Sequence, residues 1–386
     1  MEKETVKGFR DILGEEALKR EKIRQIIVGK FKSYGFMPAE TPVIEYEEFV
    51  EGENPNDEAI SDIFRLQDRG KRNLALRYEF TFQLKRLAQQ KKLPFRRYQI
   101  GEVFRDEPIG ANRFRQITQC DIDVVGSAIR DEAEILSITS GILGGLGIKA
   151  VIYVNNRKLL NEILDELKIT DKETKEQIMR EIDKLGKLSE REVEVALEKY
   201  NAGKIMDIMK NPEKYFEKYK AYAGIKELKK CCKAYGIKVS FLPSLVRGLS
   251  YYNGSIFEIK TKAMKETIIA GGSYFVNGIQ STGISFGLDR LSSLAKIQAD
   301  GIKCIIISIN QDNEAIRIAG KLRDESISCF IIDKVSKALE YANVEKIPYV
   351  IFVGKDEIKK KKLKLRDMKT GKESVAAITN LIKKLK

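Results

Sequence analysis

From Gly101 to Gly126 the chain reads GEVFRDEPIGANRFRQITQCDIDVVG, a strand, a polar loop and a second strand. The second strand alternates with period two. Cys120, Ile122 and Val124 fall on one face, and Gln119, Asp121 and Asp123 fall on the other. Such alternation is common in antiparallel sheets with one apolar face and one polar face. In a chain of 386 residues, large enough for two or three domains, such a polar face serves either solvent or a polar ligand. The competing reading is a solvent-facing hairpin laced with surface ion pairs. No long βαβ repeat accompanies the motif, so a dinucleotide-binding sheet is not expected here.

Other segments carry their own periods. Residues 15 to 34 place Leu18, Ile23, Ile26, Ile27 and Phe31 at helical spacing, and Gly35 suits the helix end. A second helical stretch is expected near 80 to 92. Residues 157 to 232 are charged and helical by pattern, as an inserted helical domain would be. Strand patterns return at 238 to 259 and 267 to 287. From 301 onward CIIISI, CFIIDK and YVIFVGK alternate with helical stretches, which predicts a small α/β domain with a largely parallel sheet. The expected organisation is an α+β antiparallel-sheet domain over 1 to 300, interrupted by the helices of 157 to 232, then an α/β domain over 301 to 386.

Composition narrows the chemistry. The chain contains no histidine, so imidazole bases, Ser-His-Asp triads and zinc–histidine sites are excluded. Reactions must run on Arg, Lys, carboxylates, hydroxyls or an oxygen-bound metal. The five cysteines, Cys120, Cys231, Cys232, Cys304 and Cys329, show no metal-ligand spacing and read as reduced thiols. No protein-held metal site is expected. A net charge of +14 suits a polyanionic partner. No apolar run spans a membrane and no secretory signal opens the chain, so a cytoplasmic location is expected.

Three further segments bear on a site. GISFGLDRL, Gly283 to Leu291, reads as a strand running into a helix, with Arg290 near the helix start. RGLSYYNGSIFEI and AGGSYFVNG set glycines beside tyrosines, as a backbone approaching a ligand requires. Arg105, Arg113 and Arg115 lie on or beside the loop of the first motif, and guanidinium forks grip phosphate and carboxylate. GILGGLGIK lacks the ending of a phosphate loop and reads instead as a helix end.

Taken in order, these segments resemble the class II aminoacyl-tRNA synthetases, and within them the histidyl-tRNA synthetase family. YGFMPAETPVIEYEEF resembles motif 1, the strand pair with Arg105 and QCDIDVVG resembles motif 2, and GLDRL resembles motif 3. LRYEFT resembles the family's LRPE.T segment, RGLSYY and AGGSY its two histidine signatures, NNRKLL and IDKLGKL its insertion, and RDMKTGKE its anticodon-binding domain. Ser250, Ser273, Phe275 and Tyr78 stand where that family usually has Asp, Arg, Asp and Pro.

The resemblance implies activation of histidine by ATP with Mg2+, transfer to tRNA(His), and a homodimer joined through motif 1. It implies Arg105, Arg247 and Arg290 as catalytic, with Arg105, Glu107, Arg113 and Arg290 on ATP. It implies Glu79, Thr81 and Gln119 on the α-amino group, and Asp123, Tyr252 and Tyr274 on the imidazole. From Lys355 onward, twelve Lys or Arg stand against four acidic residues, which on this reading contact tRNA. A catalytically silent paralogue that senses histidine or serves as a regulatory subunit is the competing expectation.

Overall fold

The computed structural model describes residues 4–51, 61–110, 113–246 and 251–386. The chain divides into two compact units, Met1–Ile12 with Ile23–Ile297, and Leu13–Lys22 with Gln298–Lys386.

The first unit is built on an eight-stranded sheet. Its order is Met37–Pro38, Phe95–Phe104, Gln116–Val125, Ile279–Gly287, Met264–Val276, Tyr252–Thr261, Val151–Asn156 and Ser240–Phe241. The six long strands are antiparallel to their neighbours, and a two-residue strand pairs in parallel at each edge. The strand pattern expected over 267 to 287 is a hairpin. Asn277 and Gly278, both at positive φ, make its two-residue turn.

Period-two alternation becomes two different faces. Cys120, Ile122 and Val124 are fully buried in the apolar core. On that side Phe31 packs its ring 5.6 Å from Tyr98 and 5.7 Å from Phe286. The helices Gly14–Ser33 and Ile129–Gly145 supply Ile23, Ile27, Ile135 and Ile142 to the same core. The other face carries Gln119, Asp121 and Asp123, each at most 5% exposed. The solvent-facing hairpin is thereby excluded, because these polar groups are buried and two of them, Gln119 and Asp123, line a cavity. Between the strands Val151–Asn156 and Ser240–Phe241 the chain is helical, with α-helices Arg157–Glu166, Lys172–Asp183, Glu190–Glu198, Lys204–Met209 and Tyr222–Ala234.

The second unit holds a five-stranded sheet ordered Cys329–Ile332, Cys304–Ser308, Tyr349–Val353, Leu363–Asp367 and Glu373–Ala376. The three strands read from the apolar runs are parallel. Both their faces are covered, Ile306 and Ile351 on one side and Ile305 and Val350 on the other, which is why the runs are continuously apolar. The sheet is mixed, since Leu363–Asp367 and Glu373–Ala376 add an antiparallel hairpin. Their apolar signal is thin: Leu363 and Leu365 point inward between exposed or half-exposed lysines and arginines.

Among the described residues, no helix is long and apolar enough to cross a membrane.

Candidate active site

Strand register assembles the polar face. Arg97, Asp123 and Gly283 are direct cross-strand neighbours, as are Gln99, Asp121 and Ser285, and Gly101, Gln119 and Gly287. Directly opposed side chains share a face, so three rows of polar groups and glycines pave one floor. Above it lies a cavity of about 170 Å3, whose lining includes Glu79, Thr81, Arg105, Gln119, Asp123, Tyr251, Tyr252, Tyr274 and Arg290.

At one end the chemistry is carboxylate and phenol. The Arg97 guanidinium is 1% exposed, lies 2.9 Å from Asp123 Oδ2, and donates to the carbonyl of Phe80 at 3.0 Å. The Tyr274 hydroxyl donates to Asp123 Oδ1. Gln119 Nε2 donates to Asp121 Oδ2 at 2.9 Å. Two carboxylates are thus buried with one cation. Burial, then repulsion from Asp123, pushes the Asp121 carboxyl up to about 7. Burial also raises Asp123, against the pull of Arg97 and Tyr274. Tyr252 and Tyr274 pair across two strands, and Tyr251 packs 4.8 Å from one ring and 5.5 Å from the other.

Glycine is required beside this carboxylate. A Cβ on Gly283 would stand 2.0 Å from Asp123 Oδ1, and one on Gly271 would stand 2.2 Å from the Gly283 carbonyl. Gly283→Ala should therefore push the Asp123 carboxylate out of place. The expected outcome is a loss of about 1–3 kcal/mol of stability and a weaker affinity for any ligand held by Asp123. Chemical unfolding and a ligand titration on the same variant check both, and an unchanged pair of values would refute the steric argument.

At the other end the chemistry is guanidinium. Arg105 Nη2 donates to Gln119 Oε1 at 3.3 Å, and its guanidinium lies 4.5 Å over the Tyr78 ring. Arg290, in the first turn of the helix Leu288–Leu294, donates to the Thr267 carbonyl at 2.6 Å. Burial lowers its pKa, with Arg105 and Arg113 adding repulsion. Two guanidinium groups in the cavity, with a third close enough to repel one of them, form a seat for a polyanion. Arg113 is ion-paired with Glu107 beside this cluster, outside the cavity lining.

The structure thus brings Arg105, Arg290, Glu79, Thr81, Gln119, Asp123, Tyr252 and Tyr274 to one cavity, and sets Arg113 and Glu107 beside it. Arg247 and Ser250 lie outside the described residues. Arg97, Tyr251 and Ser285 are contributors that the sequence motifs left unnamed. So is the segment around Gly8: its carbonyl accepts from the Arg115 N–H at 3.0 Å, and Arg10 stacks on Phe114 at 4.3 Å. Ser273 is buried outside the cavity lining, where its hydroxyl donates to the Ser255 carbonyl at 3.3 Å. Phe275 is 54% exposed. Neither of these two departures from the family pattern lines the cavity.

An antiparallel floor with arginines delivered by a strand–loop–strand and by a helix start, followed in the chain by an α/β unit, defines a class II aminoacyl-tRNA synthetase with an anticodon-binding domain. The family model for histidyl-tRNA synthetase matches residues 8–291, and that for the anticodon binding domain matches residues 303–386. The chain is 33% identical to histidine–tRNA ligase 1 of Bacillus cereus (strain ATCC 10987 / NRS 248), over 99% of this chain and 97% of the relative. The chain belongs to the histidyl-tRNA synthetase family. Its fold is similar to that of the histidyl-tRNA synthetase crystal structure from Nostoc sp. PCC 7120, with a TM-score of 0.87, 23% identity, and coverage of 100% of this chain and 99% of that one. It is also similar to a Bacillus halodurans C structure described as an ATP phosphoribosyltransferase regulatory subunit/histidyl-tRNA synthetase. There the TM-score is 0.77 at 20% identity, covering 91% of this chain and 98% of that one.

Proposed function

We propose that the chain is a histidine–tRNA ligase working in the cytoplasm. It activates histidine with ATP and passes the aminoacyl group to tRNA(His). The observation that carries this reading is one cavity with an Arg-paired carboxylate and tyrosines at one end and two arginines at the other.

The amino acid's own carboxylate is the nucleophile. A bond forms from its oxygen to the α-phosphorus, the bond to the β-phosphate bridge breaks, and pyrophosphate leaves. No protein base is needed, because the nucleophile is already ionised at neutral pH, so a chain without histidine loses nothing. Catalysis is positioning and charge neutralisation. Arg105 would grip the α-phosphate and the substrate carboxylate, and Arg290 the adenine and γ-phosphate end. Arg113, oriented by Glu107, would be a further ATP contact. Arg247 keeps its role from the family motif, on the charge developing at the α-phosphate.

Glu79, Thr81 and Gln119 would hold the α-amino group, and Asp123, Tyr252 and Tyr274 the imidazole. A ring N–H donated to a buried, Arg-paired carboxylate discriminates strongly, since an analogue without it leaves that acceptor unpaired. Mg2+ would enter on the nucleotide's phosphates. The motif 1 segment exposes Met37, Val43, Ile44 and Tyr46, which supports a homodimer through that face.

Histidine-dependent exchange of pyrophosphate into ATP tests the reading. Exchange with histidine and Mg2+, absent with other amino acids, is the expected result. Histidine binding without exchange in folded protein would sink the ligase reading and leave a silent histidine sensor.

A further inference from the structure

In the second unit, Cys304 and Cys329 stand directly opposite each other on adjacent parallel strands. In-register residues of a parallel pair project to the same face. Neighbouring strands lie about 4.8 Å apart, within the roughly 4.4–6.8 Å between Cα atoms that a disulfide bridges. The two thiols lie close enough to act on each other's ionisation.

Their settings differ. Cys304 is fully buried in the core beside Ile306, Ala315 and Ala319. Cys329 is half-buried on the edge strand Cys329–Ile332. As a thiol, Cys329 donates to the Ala319 carbonyl at 3.8 Å. Arg323 lies beside it, and its Nη2 donates to the Cys329 carbonyl at 3.1 Å. The other cysteines lack this arrangement. Cys120 is buried in the first unit, and Cys231 and Cys232 are successive residues of one helix, whose side chains diverge by about 100°.

We propose that Cys304 and Cys329 form a reversible dithiol–disulfide site for hydroperoxides, with Cys329 attacking and Cys304 resolving. The Cys329 sulfur attacks one peroxide oxygen. The S–O bond forms, the O–O bond breaks, and the departing oxygen leaves as water after protonation, giving a sulfenic acid. The Cys304 sulfur then attacks the Cys329 sulfur. The S–S bond forms, the S–O bond breaks, and the hydroxyl leaves with the Cys304 proton as a second water. Two thiols lose two electrons in all, and one hydrogen peroxide becomes two waters.

The contact with Cys304 and the Arg323 charge hold Cys329 down to about 7, while the same contact and burial hold Cys304 far above the ordinary thiol range. An attacking thiol that ionises near neutrality, beside a partner that stays protonated until needed, is the pairing found at reversible oxidation sites. Such disulfides in a reducing compartment are transient, and the thiols reform on reduction.

The test uses the full-length protein, one equivalent of hydrogen peroxide at pH 7, then alkylation and peptide mass analysis. A Cys304–Cys329 cross-linked peptide, lighter by two hydrogens and reversed by dithiothreitol, is the expected product. In Cys304→Ala the sulfenic acid should persist on Cys329 and be trapped by dimedone, whereas Cys329→Ser should give neither cross-link nor label in this unit. Cys329 should react about tenfold faster than the remaining thiols, from its larger thiolate fraction at pH 7. The wild-type arm needs no substitution, so a misfolded variant does not rescue the idea. Oxidation of Cys231 or Cys120 ahead of Cys329, or a Cys329 sulfenic acid that never cross-links, overturns it.

Discussion

Arg97→Leu should destabilise the protein by about 3–5 kcal/mol at pH 8, as removing one partner of a buried ion pair does, and should abolish measurable histidine binding. Leucine fills much of the volume but leaves Asp121 and Asp123 buried without their cation. The loss should shrink on acidification. A carboxyl whose folded pKa is raised binds its proton more tightly folded than unfolded, so its favourable contribution is full at low pH and lost as pH rises through the folded value. For Asp121 that window runs from its ordinary range near 3.8 up to about 7. At pH 5.5, below the Asp121 value, that carboxyl is protonated and part of the repulsion is spared. Urea unfolding at the two pH values, with calorimetric histidine titration, is the measurement. Equal destabilisation at both would show that Arg97 acts through packing alone.

Arg105→Ala should leave the fold intact and cut pyrophosphate exchange by about two to three powers of ten, the scale for removing a charge-stabilising donor. The arginine is half-buried and held by Gln119, the Tyr78 carbonyl and the Tyr78 ring. These contacts aim it into the cavity and support no core. Arg105→Lys should recover little, since a point charge cannot make the forked contact. The loss is expected mainly in kcat with the melting temperature unchanged. A variant that exchanges within about fivefold of the parent would place the α-phosphate contact elsewhere, because such a ratio is under about 1 kcal/mol of transition-state energy.

Much of this site was legible because its information is local. Alternation over Gln119 to Val124 specified both faces of one strand, and Arg290 followed from a strand that turns into a helix. The unread part is information carried by register. Arg97 precedes Asp123 by 26 positions, and only strand pairing makes them neighbours. A signal was available in FRRYQIG, where Arg97 and Gln99 alternate with Tyr98 and Ile100 as the later strand does. Tyr251 was hidden by sharing a motif with Tyr252, since adjacent strand residues usually face opposite ways. The hairpin of Leu363–Asp367 and Glu373–Ala376 carries too few apolar residues to be separated from a basic loop.

The floor of carboxylates, guanidinium groups and phenols has a spectroscopic consequence. Because the polypeptide contains no imidazole, every imidazole resonance in a complex belongs to the ligand. Histidine labelled with nitrogen-15 can be followed in unlabelled protein with no background from the chain itself. The two ring nitrogens report separately which one carries hydrogen. The tautomer and ionisation of the bound ring, ordinarily obscured by an enzyme's own residues, become direct readings of the contact with Asp123.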